Sequence, residues 1–442
     1  MFFLPSRFAI SQGAVFAGAF SIQALCGLNA QNFTARSATL NPFGVNGQLP
    51  FGVMPSIVGG KGIKGGFGLG LGLSTTYNSN VLLSENDPES AVSMNFSAPL
   101  SYTSDPEGGA PMVITATYAP SASVYFDNSD FNSIDQSGSL GIIYSASRTT
   151  ISAFAGVSQN SGADSLVASQ GFFTGTAVSL GLQVGYQLAP RTSISAGLST
   201  SITDYGAGSF GSSGNPSFSG NLGNPNDSGN SAVGFSSYTA TLGASWAATE
   251  RFSFGPNLSY STSVSDSVDD FNTWGFSMVG NYKASERIQV SATMGFAYTE
   301  FSEADASSDI SPTGSLNASY QIDELWALST SIQSGISPSP SGSNYVINGW
   351  SVSSNLSRQL LVGSAGIGLL MDFSNYQSAG PTGVFQANQE NQQNIAFLLN
   401  YSRPLPLFND RLGFTSSLIY TMNYGDFEYT QVQVNAGLNL AF

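Results

Sequence analysis

The sequence predicts an all-β fold, a transmembrane antiparallel β-barrel of about eighteen strands (about sixteen as the alternative), with short periplasmic turns and longer external loops. Three observations predict it. Only 9% of the residues are charged, against about 25% in ordinary soluble domains. From Gly66 to Phe442, runs of about 12–16 residues alternate large apolar with small or polar side chains, the period of a strand with two unlike faces. Every basic residue after position 65 falls at the same end of the strands so drawn.

Residues 1–30 read as a signal peptide. Arg7 is the only charge before a mostly apolar stretch from Phe8 to Leu28, and Leu28-Asn29-Ala30 before Gln31 fits a signal-peptidase site. A lipoprotein signal carries a small residue just before its cysteine, whereas Leu25 precedes Cys26, so lipidation is disfavoured. Cleavage after Ala30 removes the one cysteine and leaves 12 − 1 = 11 bases against 27 acids, a net charge of −16. Residues 31–65 are Gly-, Pro- and Asn-rich without a sustained period, and read as a flexible periplasmic leader. The barrel is expected over 66–442. No mature segment approaches the ~18 consecutive apolar residues of a spanning helix, so a membrane form must be a closed barrel.

Three strands carry the alternation most clearly. Ile288, Val290, Ala292, Met294, Phe296 and Tyr298 oppose Gln289, Ser291, Thr293, Gly295 and Ala297. Ile194, Ala196, Leu198 and Ile202 oppose Ser193, Ser195, Gly197, Ser199 and Ser201. At the C-terminus Val432, Val434, Ala436, Leu438, Leu440 and Phe442 oppose Gln431, Gln433, Asn435, Gly437, Asn439 and Ala441. A soluble sandwich with its apolar face inward also alternates, so the connections decide. The predicted strands are 66–83, 91–104, 111–126, 134–147, 149–161, 171–188, 191–203, 233–247, 251–264, 271–284, 286–301, 310–322, 325–337, 345–358, 360–375, 389–403, 411–423 and 427–442. Tight turns near Arg148, Pro190, Glu250, Ser285, Asp323 and Gln359 alternate with longer loops such as 205–232, 302–309, 338–344 and 376–388. Pro99 and Pro120 fall inside strands, where the missing donor predicts bulges.

Charge orients the barrel. Arg148, Arg191, Arg251, Lys283, Arg287, Arg358, Arg403 and Arg411 lie at the short-turn ends, assigned to the periplasm. The other ends carry Glu85, Asp87, Glu89, Asp127, Asp130, Asp164 and Asp204, and an acidic mouth of Asp266, Asp269, Asp270, Glu303, Asp305 and Asp309. Aromatics such as Trp246, Phe252, Trp274 and Trp326 gather at strand ends, as interfacial girdles do.

Two stretches resemble known families. Val434, Ala436, Leu438, Leu440 and Phe442 resemble the assembly signal of bacterial outer-membrane proteins, with Leu438, Leu440 and Phe442 as its end. Tyr77-Asn78-Ser79-Asn80-Val81 is similar to a Tyr-Asp-Ser-Asn-Val segment of a β-barrel porin family of bacterial outer-membrane proteins, with Asn78 in place of the Asp. The layout of 66–442 resembles that family too. The resemblance implies the outer membrane of a Gram-negative cell, and some members accompany exopolysaccharide export.

Chemistry narrows the function. The chain has no histidine, which removes Ser–His–Asp triads and His metal sites, and no enzyme activity is expected. Asp269 with Asp270, and Glu303 with Asp305, are paired carboxylates better read as solvated loop acids than as general acid and base. No cofactor is expected beyond weak divalent-cation binding at the acidic loops Asp127-Asn128-Ser129-Asp130 and Asp266 to Asp270, which lack EF-hand spacing and its turn glycine. Gly66, Gly68, Gly70 and Gly72 alternate with Phe67, Leu69, Leu71 and Leu73, so they read as a bare inner strand face with room for the leader or a loop, not a nucleotide site.

Gln289, Ser291, Thr293, Gln431, Gln433, Asn435 and Asn439 are the candidate pore-lining residues. The expected function is a porin-like channel for passive diffusion of small hydrophilic solutes, weakly cation-preferring because of the acidic mouth. Two rival readings are a non-conducting structural or surface-binding barrel, associated with exopolysaccharide export or adhesion, and a secreted β-rich adhesin. Expected partners are outer-membrane lipid, the barrel-assembly machinery, periplasmic chaperones and small solutes, with no nucleic acid.

Overall fold

The computed structural model describes residues 66–85, 87–105, 109–162, 173–206, 235–265, 270–301, 309–338, 345–378, 392–408, 411–425 and 428–442. The expected signal peptide, leader and most of the long external loops lie outside them. The strands are β1 (Phe67–Asn78), β2 (Ala91–Ser97), β3 (Leu100–Thr103), β4 (Met112–Tyr125), β5 (Ser133–Ser145), β6 (Thr149–Gly162), β7 (Phe173–Ala189), β8 (Thr192–Gly206), β9 (Phe235–Ala247) and β10 (Phe252–Ser265). They continue with β11 (Phe271–Lys283), β12 (Ile288–Phe301), β13 (Asp309–Gln321), β14 (Trp326–Pro338), β15 (Tyr345–Gln359), β16 (Ser364–Ser378), β17 (Gln392–Leu405), β18 (Leu412–Tyr424) and β19 (Tyr429–Ala441). All belong to one antiparallel sheet in which β1 pairs with β19, so the sheet closes on itself. Strands β2 and β3 are two halves of one stave, both paired with β1 and β4, which makes eighteen staves.

Closure satisfies every ladder edge, which is what allows strands to cross lipid. Among the described residues no helix is long and apolar enough to cross a membrane. The two faces behave as the alternation predicts. On β12, Met294 and Phe296 are 74% and 51% exposed on the outer face, while Thr293 and Thr299 on the inner face are 9% and 1% exposed. The same sorting holds on β7 and β8, where Leu180, Leu182 and Leu198 face out and Ser201 faces in. A strand of 13 residues, at ~3.3 Å per residue and a tilt of about 40°, spans roughly 33 Å, enough for an apolar band of ~25 Å with its two girdles.

The periplasmic girdle is visible as contacts. Trp246 meets Phe254 edge-on at 5.4 Å, Tyr401 lies 6.4 Å from Phe414, and the Arg358 guanidinium stacks over Trp326 at 5.1 Å. Basic residues there tie one hairpin to the next: Arg251 Nη1 donates to the Ala284 carbonyl at 3.5 Å, and Arg287 Nη1 to the Ile322 carbonyl at 3.4 Å.

Three expectations need correction. Neither Pro99 nor Pro120 makes a bulge. Gly72 pairs with Ser97 and Leu69 with Leu100, so the register of β1 runs unbroken past Pro99. Pro120 likewise keeps its place opposite Gln136. Each proline loses only its own donor and still accepts: Gly70 N–H donates to the Pro99 carbonyl at 2.8 Å, and Ala98 N–H to the Pro120 carbonyl at 3.1 Å. The cost is a thinned ladder that splits one stave into β2 and β3. An irregularity does occur in β7, between Gln187 and Ala189 at the turn.

Second, the first strand ends at Asn78, because residues 79–83 turn away into the rim loop described below. Third, β16 begins at Ser364 rather than at residue 360, because Leu360 N–H donates to the Gly363 carbonyl at 2.9 Å in a hairpin turn. Gly363 has φ +100°, a conformation that favours glycine.

Candidate functional site: the inner wall and its external rim

Each candidate pore-lining residue lies on the inner face. Gln289, Ser291 and Thr293 follow one another up β12, from exposed Gln289 near the periplasmic end to buried Thr293. Gln431, Gln433, Asn435 and Asn439 descend β19 from the external end. These amides also serve the wall itself. Asn435 Nδ2 donates to Thr76 Oγ1 at 2.8 Å, Asn439 Nδ2 to Thr415 Oγ1 at 3.3 Å, and Gln431 Nε2 to the Asn80 carbonyl at 2.8 Å. Leu438 and Phe442 are exposed on the lipid side, Leu440 is half-buried there, and the Phe442 N–H donates to the Leu69 carbonyl at 2.9 Å.

The glycine face of β1 is not empty space. A Cβ at Gly68 would come within 2.6 Å of Ser101 Oγ, one at Gly70 within 3.0 Å of Pro99 Cγ, and one at Gly72 would collide with Ser97 Oγ. Side chains of the neighbouring stave thus pack directly against this glycine face, and the leader expected over 31–65 lies outside the described residues.

The segment Tyr77–Val81 acquires a physical role at the external rim. Asn80 is 1% exposed. Its N–H donates to Asn78 Oδ1 at 3.0 Å, and its Nδ2 to the Ser84 carbonyl at 2.7 Å and the Thr430 carbonyl at 3.5 Å. Its Oδ1 accepts from Ser84 N–H at 2.8 Å. Ser79 pairs with Val432 through both N–H and Oγ, at 3.0 and 2.8 Å. Val81 then packs with Ala91, Tyr125 and Phe131 in a small buried cluster, Tyr125 and Phe131 meeting edge-on at 5.6 Å. A 3-10 turn at Ser129–Phe131, capped by Asn128, supplies Phe131. This loop prolongs the β1–β19 seam beyond the end of β1.

Of the expected acidic mouth, Asp270 is half-buried just before β11, and Asp309 holds a strand position opposite Thr299. Asp266, Asp269, Glu303 and Asp305 lie outside the described residues. Glu85, Asp87, Asp127 and Asp130 are exposed at the external rim, and Glu89 Oε1 accepts from Asn128 Nδ2 at 3.2 Å.

Two acids and an apolar patch were missed from the sequence. Asp135 and Asp372 sit on the inner face in the external half, 6% and 8% exposed. Below Asp372, Leu370, Ala396 and Ile419 form a buried cluster with Leu398 on the inner faces of β16–β18. The signal for Asp372 was its alternation with Met371 and Phe373; apolar residues on both faces at Leu369–Met371 hid it.

No protein-family model and no curated protein sequence matches the chain. Solved structures with a similar course include OpdL of Pseudomonas aeruginosa, with a TM-score of 0.40, 11% identity, and 85% of this chain and 98% of that one covered. The outer-membrane protein OpdK of the same organism has a TM-score of 0.43, 11% identity, and coverage of 85% and 99%. OccAB4 of Acinetobacter baumannii has a TM-score of 0.44, 10% identity, and coverage of 85% and 98%. On its own geometry, a closed ring of eighteen staves, apolar outside and polar inside, this chain has the architecture of a bacterial outer-membrane β-barrel.

Proposed function

We propose that the barrel is an outer-membrane channel for passive diffusion of small hydrophilic solutes, weakly selective for cations. The observation that carries the reading is the polar inner wall of an eighteen-stave ring, a size at which porin-type barrels leave an aqueous lumen. Asp135 and Asp372 on the wall, and Glu85, Asp87, Asp127 and Asp130 on the external rim, raise local cation concentration and repel anions. Gln289, Ser291, Thr293, Gln431, Gln433, Asn435 and Asn439 contribute to the wetted wall, and Leu438, Leu440 and Phe442 to recognition by the assembly machinery. Planar-bilayer recording across a salt gradient tests the proposal: the reversal potential should carry the sign of cation preference. Absence of conductance, or a clear anion preference, sinks it.

A second reading is favoured by burial in the external half, where Ser123, Thr299 and Ser311 are only 1%, 1% and 2% exposed. It is a non-conducting barrel that acts at the cell surface, in adhesion or beside polysaccharide export. It predicts silent bilayers together with an adhesion or envelope defect on deletion.

A further inference from the structure

The distribution of charge inside the barrel goes one step past the channel reading and rests on it. Among the charged residues of the nineteen strands, register places four at inner-face positions: Asp135, Asp309 and Asp372 in the external half, and Lys283 at the periplasmic end of β11. Asp204, Glu300, Arg358 and Arg403 hold outer-face positions. Above Lys283 the inner face of the described strands offers no cation. It therefore has no pair of opposite charges across which to orient an ionic solute.

What the wall does offer is groups that donate and accept at once. In the periplasmic half, where the wall is most open, Asn281, Gln289 and Asn317 are exposed. Register sets Asn281, Ser291, Asn317 and Ser331 side by side in one row across β11–β14, with neighbours ~4.8 Å apart. Ser331 Oγ donates to Asn317 Oδ1 at 2.7 Å and accepts from Gln333 Nε2 at 3.2 Å.

Across the lumen, Phe154 holds an inner-face position between Gly141 and Gly181, and its ring occupies the space that a side chain at Gly181 would take. Hydroxyls and amides exchange water for a solute hydroxyl bond for bond, because both partners donate and accept. An apolar ring gives the C–H face of a sugar a surface to cover. An ion gains neither, and neither the row nor the ring gives it a fixed counter-charge to offset lost hydration.

We propose that the channel takes neutral polyhydroxylated solutes, of the saccharide or polyol class, and that the Asn281–Ser331 row and Phe154 are its contact points. The test is single-channel recording with a maltooligosaccharide and with polyethylene glycol of equal hydrodynamic size, whose ether oxygens accept but do not donate. The oligosaccharide should interrupt the current at concentrations where the glycol does not. Phe154→Ala and Asn317→Ala should each shorten the interruptions about fivefold, the loss of one net contact. If Phe154→Ala fails to assemble, Asn317→Asp, of equal size at an exposed position, carries the test by removing the donor at that position of the row. Interruptions by both polymers alike, or by neither, overturn the solute class while leaving the channel standing. Absence of any conductance overturns the channel and this inference together.

Discussion

Thr76 Oγ1 on β1, the first strand, accepts a hydrogen bond from Asn435 Nδ2 on β19, the last, at 2.8 Å, and a second from Asn95 Nδ2 on β2 at 3.0 Å. One hydroxyl thus joins three strands at the seam where the barrel closes. Thr76 is 5% exposed. Thr76→Val keeps the shape and removes the acceptor, stranding two amide donors on the inner wall. A cost of about 1–3 kcal/mol follows from the unmet groups. It should lower the temperature at which the folded band converts to the unfolded one on semi-native gels, and Thr76→Ser should restore most of the loss. An unchanged transition in Thr76→Val would show that the seam does not depend on this hydroxyl.

Asn80 should matter more. Its buried amide bonds through both ends, to Ser84 and Thr430, and its carbonyl accepts from Gln431. Asn80→Leu leaves the Ser84 N–H and carbonyl without their partner and places an apolar branch in a polar slot. A loss of about 2–4 kcal/mol is expected from two broken buried bonds. The check is protease sensitivity of the intact cell surface: the 79–90 loop should become cleavable while barrel heat-modifiability persists. Cleavage no faster than in the parent would refute the latch.

These two residues show what could be read in advance and what could not. The lipid face was legible because Ile288 to Tyr298, and Val432 to Phe442, obey one rule over whole strands. Lipid outside and a polar lumen inside impose a period of two on every stave. Other than the first strand's far end and the start of β16, all strand boundaries agree with that pattern within three residues. Asn80 was not legible, because Tyr77, Ser79 and Val81 continue the alternation although the chain has left the ladder. The decision is made by an asparagine that competes with the ladder by bonding its own neighbours' backbone, a local effect that hydropathy does not record. Asp372 and Leu370 were missed for a different reason: an inner wall that is apolar in one patch makes both faces of β16 look alike. Asn435 and Asn439 lie on the inner face, and the bond from Asn435 to Thr76 depends on register between the first and last strands, which alternation within one strand does not record.

Glycines at inner positions set how closely staves approach. A Cβ at Gly255 would collide with the Ala244 carbonyl, and one at Gly295 with the Phe276 carbonyl. Backbone cannot yield as a flexible side chain can. Gly295→Val should therefore impede pairing of β11 with β12, with steady-state folded protein in the outer membrane falling well below that of Gly280→Ala. At Gly280 the nearest atom to an added Cβ is Phe252 Cε2 at 4.0 Å. Equal amounts of the two folded variants would mean that this tight approach relaxes without cost.

Asp135 and Asp372 hold inner-face positions, 6% and 8% exposed, and act on a permeating ion through their field, while the bases of the outer face, Arg358 and Arg403, are separated from the lumen by the wall. Neutralising both, as Asp135→Asn with Asp372→Asn, removes two negative charges and keeps size. If each carboxylate contributes about 0.5 kcal/mol to cation preference in a water-filled lumen, the double variant should lower the cation-to-anion permeability ratio about fivefold. Raising salt to about 1 M shrinks the screening length to ~3 Å, so the parent should lose most of its selectivity there and the variant little. A reversal potential unmoved by the double substitution would assign the selectivity to the external rim alone, where Glu85, Asp87, Asp127 and Asp130 are exposed.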